Sequence, residues 1–98
     1  MTVLGTQVLD KAMKDHADLR GSGAAWLKIA RAEKWASLVE LRKTWPASDP
    51  AGDETVFNIK GNSYRLSALV NYEAQTIIIT KVETHAEYTK RLRQGKKG

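Results

Sequence analysis

His85 and Tyr88 are the two residues whose types and spacing best suit proton transfer. The run Thr84-His85-Ala86-Glu87 has the Ser/Thr-x-x-Glu spacing of a capping box. A helix opening there carries His85 at its first position and Tyr88 three residues on, on roughly one face of the same turn. Arg65 adds a cation whose charge does not vary with pH. Together they are the parts for phosphodiester cleavage without a metal: a base for the ribose 2′-hydroxyl, a cation for the pentavalent phosphate and an acid for the leaving oxygen. Two histidines and no acidic cluster make the chain a poor fit to a metal nuclease. The same His and Tyr also suit a purely structural part, and spacing alone leaves both readings open.

The elements that must position these residues form a meander. Strands are expected over residues 56–59, 64–72 and 76–82, followed by a short helix from Thr84. Lys60-Gly61-Asn62 supplies residues that tolerate positive φ in a hairpin, and Glu73-Ala74-Gln75 supplies a second short loop. Alternation puts Tyr64, Leu66, Ala68 and Val70, with Phe57 and Ile59, on an apolar face that should meet helices. Arg65, Ser67, Leu69 and Asn71 point the other way, with Asn58 and Lys60. That outer face is polar and basic near Arg65, which suits either a ligand or plain solvent. Ile77, Ile78 and Ile79 populate both faces and leave the last strand undecided.

The upstream half reads as cover for the apolar face. Thr2-Val3-Leu4 suits a short edge strand stopped by Gly5, and Thr6 offers an N-cap to a helix through about Leu19. Leu9, Met13 and His16 share its stripe, so His16 reads first as a packed or partly exposed helix residue. Ser22 can cap a second helix to about Lys34, with Trp26, Ile29 and Ala30 on its buried side. Lys28, Arg31 and Lys34 recur every three residues elsewhere on it, as either a nucleic-acid track or a solvated face. Ser37-Leu38-Val39-Glu40 has capping-box spacing for a third helix carrying Leu38 and Leu41 inward. Residues 44–54, rich in Pro, Asp and Gly, read as an exposed loop.

At 98 residues the chain is expected to form one domain, residues 1–98, with a basic tail over residues 93–98 that lacks fixed structure. The absence of cysteine removes disulfides and thiolate chemistry, which suits a cytoplasmic setting. No signal peptide, membrane span or cofactor is expected. The net charge is +5, and the excess lies late: residues 84–98 carry five Lys or Arg against one acidic residue. A positive surface suits polyanions.

The runs Val56-Phe57-Asn58-Ile59-Lys60-Gly61-Asn62-Ser63-Tyr64-Arg65-Leu66 and Thr84-His85-Ala86-Glu87-Tyr88, with Val70-Asn71-Tyr72 between them, resemble the signature of the HigB-type toxins of the RelE superfamily. The likeness runs more loosely through Trp26, Ala30, Trp35, Ser48-Asp49 and Gly52, from about residue 24 to 91. It implies a small α+β domain with N-terminal helices on one face of a mainly antiparallel sheet and a short C-terminal helix. It further implies a type II toxin-antitoxin endoribonuclease that cleaves mRNA, often on the ribosome, and a cognate helix-turn-helix antitoxin. Carried over, Arg65 would stabilise the scissile phosphate and His85 and Tyr88 would be the acid and base candidates. Lys60, Asn62, Asn71 and Lys81 would help to hold RNA. The chain departs from the family pattern at Thr80, where relatives often carry Arg or Lys; here the cation is Lys81, one residue on and nominally on the opposite face. Some relatives also have a basic residue at Leu69, and an Asp often follows the Tyr where this chain has Thr89. A non-catalytic RNA- or ribosome-binding module of the same fold is the alternative.

Overall fold

Lys60 and Gly61 both take positive φ, +56° and +63°, in the loop between two antiparallel strands, β3 (Glu54–Ile59) and β4 (Tyr64–Asn71). Gln75, at φ +55°, turns β4 into β5 (Thr76–Thr84) in the same way. These three strands are the expected meander. The computed structural model describes residues 1–95 and adds a strand on each side of it. β1 (Thr2–Leu4) pairs in parallel with β5, and β2 (Ser48–Ala51) pairs antiparallel with β3, giving one sheet in the order β1-β5-β4-β3-β2.

β2 corrects the expectation of an exposed loop over residues 44–54. Pro50 lacks a donor but sits in an edge strand, where a missing N–H can be tolerated. Ser48 anchors the strand, buried, with its hydroxyl donated to the Trp45 carbonyl at 2.7 Å.

The helices α1 (Thr6–Asp15), α2 (Arg20–Ala32) and α3 (Leu38–Thr44) cover the inner face. Leu9, Leu19, Trp26, Ala30 and Leu41 are fully buried with Phe57, Ile59, Leu66, Ala68 and Ile77, so the inner set inferred from alternation is the core. The Trp26 ring meets Phe57 edge-on at 5.2 Å between centroids. On β5, Ile77 and Ile79 turn inward while Ile78 is 41% exposed, which settles the isoleucine run.

Helix boundaries differ from expectation for local reasons. Gly5, at φ +76°, caps α1 in place of Thr6. An added Cβ there would lie 2.5 Å from the Ile79 carbonyl oxygen. α1 stops at Asp15, where His16 turns extended at φ −128° and a 3-10 turn, Ala17–Leu19, follows. α2 starts before Ser22, taking in Gly23 because α1 packs close: a Cβ there would stand 2.9 Å from the Met13 sulfur. Ser37 caps α3 as expected, accepting from Glu40 N–H at 3.3 Å.

α4 (His85–Gly95) closes the chain against the other side of β4 and β5. Its capping box is reciprocal: Thr84 Oγ1 accepts from Glu87 N–H at 3.1 Å, and Glu87 Oε1 accepts from Thr84 N–H at 2.9 Å. The helix runs through residues 93–95 of the expected tail; residues 96–98 lie outside the described residues.

Candidate functional site

The β3-β4 loop and the start of α4 meet at one corner of the sheet. His85 N–H donates to the Ser63 carbonyl at 2.9 Å, so the first residue of the helix is tied to the loop. Beside that bond Arg65 lies 9% exposed, its Nη1 donating to the carbonyls of Asn62 at 2.9 Å and Tyr64 at 3.3 Å. Its Nη2 stands 2.9 Å from Nδ1 of His85. A guanidinium has only donors, so Nδ1 is the acceptor and the ring proton sits on Nε2. Tyr88 completes the group, with the Arg65 guanidinium 5.7 Å and the Arg91 guanidinium 5.3 Å from its ring centre. Arg65, His85 and Tyr88 therefore converge from two elements. Among the described residues Arg65 has no carboxylate in ion-pairing distance.

The four residues expected to hold RNA are placed differently. Asn62 lies in the exposed loop and contributes its backbone carbonyl to Arg65. Lys60 is corrected from the outer face to the helix side. Its φ of +56° turns it out of the strand alternation, and its ammonium pairs with Asp18 at 2.9 Å. Asp18 also accepts from the Tyr64 hydroxyl at 2.5 Å, and that bond, with Lys60, holds its carboxyl below the usual range. Asn71 is at the far end of β4, about 20 Å from Arg65 at strand rise, where its side chain accepts from Ala74 N–H at 2.9 Å. The group that converges does not include it.

Lys81 is the second correction. The β4-β5 ladder slips between Ser67 and Ala68: Ser67 pairs with Lys81 but Ala68 pairs with Ile79, leaving Thr80 as the extra residue of a bulge. Lys81 thus shares the outer face with Ser67, Arg65 and Thr80 instead of opposing Thr80. Its ammonium meets Glu54 at 2.9 Å, and the Thr80 hydroxyl donates to the other oxygen of the same carboxylate. Burial pushes the Glu54 carboxyl up, but the Thr80 and Lys81 contacts more than offset it and hold the group below the usual range.

Sequence reasoning missed the part of Glu54, because the bulge that brings its partners together leaves no mark in the alternation. It also missed Glu83, which pairs across the ladder with Arg65 and holds Arg91 through two bonds of 2.9 and 3.1 Å. The Glu83 and Arg91 spacing across a strand-helix junction was the one signal available. His16 is half-buried with its ring edge toward Tyr64, 5.4 Å between centroids, in keeping with a packing residue.

Among the described residues no group of three or more His, Cys, Asp or Glu side chains is placed to hold a metal ion. No described helix is long and apolar enough to cross a membrane. A family model described as HigB_toxin, RelE-like toxic component of a toxin-antitoxin system, matches residues 20–91, nearly three quarters of the chain and the whole of the converging group. No curated protein sequence matches the chain.

Proposed function

Because the chain belongs to the HigB toxin family, the RelE-like toxic components of toxin-antitoxin systems, we propose that it is a metal-independent endoribonuclease that cleaves mRNA. The observation that carries the reading is the convergence of Arg65, His85 and Tyr88, with the Arg65 guanidinium 2.9 Å from His85 Nδ1 and beside the Tyr88 ring. Family membership implies a cognate antitoxin; we take it to be a helix-turn-helix protein, and the message to be met on the ribosome in the cytoplasm.

The geometry supports one order of events. In the free protein Arg65 spends a donor on Nδ1 of His85 and has no carboxylate partner among the described residues. A phosphate is the stronger acceptor for a guanidinium. When the scissile phosphate takes Nη2, Nδ1 is released to accept the proton of the ribose 2′-hydroxyl. The 2′-oxygen then attacks phosphorus as the bond to the 5′-oxygen breaks. The Tyr88 hydroxyl, three residues along the same helical face, gives the leaving oxygen its proton. One fragment ends in a cyclic phosphate and the other begins with a 5′-hydroxyl. Arg65 offsets the charge that gathers on the phosphate oxygens.

Purified protein incubated with a defined mRNA in EDTA, free and on programmed ribosomes, tests the reading. Cleavage that survives chelation, leaves cyclic phosphate ends and is lost in His85→Ala supports it. A second reading, RNA or ribosome binding without cleavage, is favoured by one observation: Lys81 is occupied by Glu54, and its neighbour Thr80 is uncharged. Tight binding with intact RNA in every lane would select that reading.

A further inference from the structure

The outer face carries a second group of converging donors, one step along the ladder from Arg65. Its donors are the Thr80 hydroxyl and the Lys81 ammonium, neighbours that a regular strand would point to opposite faces. The bulge in β5 gives them one face. In the RNA-free protein both converge on a single carboxylate: Thr80 donates to one oxygen of Glu54, and Lys81 lies 2.9 Å from the other. Glu54 is on β3 and Lys81 on β5, so this contact spans the central strand β4. Ser67, the β4 residue paired with Lys81, lies between them, fully buried, its hydroxyl without a protein partner. A small side chain there leaves room for the crossing.

A carboxylate and a phosphodiester offer these donors the same thing, two oxygens sharing one negative charge. We infer that Thr80 and Lys81 form a second site for an RNA backbone phosphate, and that Glu54 fills it in the RNA-free protein as a built-in competitor. The inference rests on the RNA reading above and extends it. Ser67 and Arg65 are two residues apart on one strand, about 7 Å, a span that neighbouring phosphates of an extended RNA strand can match. RNA therefore meets one mostly buried cation without a carboxylate partner among the described residues, Arg65, and one that must exchange a carboxylate for a phosphate. The exchange makes binding weaker, and its salt dependence shallower, than the number of cations on this face would give.

Glu54→Gln keeps the shape and the Thr80 contact but removes the charge. The test is equilibrium binding of a ribose-methylated single-stranded RNA, which offers no 2′-hydroxyl for cleavage, over a range of salt concentrations. Wild type is compared with Glu54→Gln, with Glu54→Gln/Lys81→Met, and with Asp10→Asn, an equal change of charge at an exposed position of α1. Glu54→Gln is expected to tighten binding about fivefold at low salt, the upper end for release of a surface ion pair. It should also steepen the log-log salt slope by about 0.7, one single-strand phosphate contact. Adding Lys81→Met should cancel both gains, and Asp10→Asn should produce neither. Glu54→Ala, expected to behave as Glu54→Gln, covers the case in which the glutamine variant fails to fold. If folded Glu54→Gln and Glu54→Ala bind as wild type does, the site is refuted and the RNA reading stands. A gain that persists without Lys81, or that Asp10→Asn matches, refutes the site in favour of net charge. No RNA binding by wild type or any folded variant refutes both.

Discussion

Arg65 and His85 carry different burdens, and substitution separates them. His85 is exposed and makes one side-chain bond, to Arg65. His85→Ala should therefore lower cleavage by about tenfold or more, the loss expected of a proton-transfer group, and leave the thermal melt where it was. Unchanged cleavage in the folded variant would remove His85 from the mechanism. Arg65 is buried and satisfies two backbone carbonyls. Arg65→Ala should thus abolish cleavage and also cost about 1 to 3 kcal/mol of stability, because buried acceptors lose their partner. Denaturant unfolding beside the cleavage assay reads both effects, and a loss of activity without any loss of stability would mean that the carbonyls find water.

At the scale of elements, the Thr84 cap and the bulge at Thr80 decide what α4 and β5 present. Thr84→Ala removes the acceptor for Glu87 N–H and should destabilise by about 1 kcal/mol, the usual value of an N-cap. Cleavage should fall with it, since His85 is the next residue; a cap loss visible in the melt with full activity would show that the loop bond from His85 N–H to Ser63 alone holds the ring in place. Leu66→Ala, on the inner face of β4 and fully buried, should cost about 2 to 5 kcal/mol. These elements also mark where the sequence was readable. The capping box, the positive-φ loop and the alternation of β4 are local signals that brought Arg65, His85 and Tyr88 forward as candidates, and the family resemblance gave them their expected roles. The bulge was not readable, because it depends on which residues of β4 lie opposite. β2 was hidden for a related reason: its Ser-Asp-Pro-Ala composition opposes strand formation, and pairing with β3 overrides it. Lys60 escaped because alternation ends where its φ turns positive.

Across the whole molecule, acid is the condition that reaches the most contacts at once. Asp18, Glu54 and Glu87 are all held below their ordinary range: Asp18 by the Tyr64 hydroxyl and Lys60, Glu54 by Thr80 and Lys81 against burial, and Glu87 by Thr84 N–H. A carboxyl lowered in the folded state adds stability that is complete above its unfolded value and disappears as pH falls through its folded value. Thermal stability should therefore be flat from neutrality down to about pH 5 and decline below about pH 4, the unfolded carboxylate range. A midpoint that stays level from about pH 5 down to about pH 3 would mean that the three contacts add nothing to folding.

The parallel pairing of β1 with β5 joins Thr2 to Thr76, so the first strand to be made waits for the last. Contacts this distant in sequence form late, since the intervening chain has to be ordered before they are rewarded. His85 and Tyr88 likewise belong to the final third of the chain, and Arg65 stands just before it. Synthesis thus delivers α1, α2 and α3 first and the corner where Arg65, His85 and Tyr88 meet later. A nascent chain stalled before Thr76 has neither a closed sheet nor His85 and Tyr88.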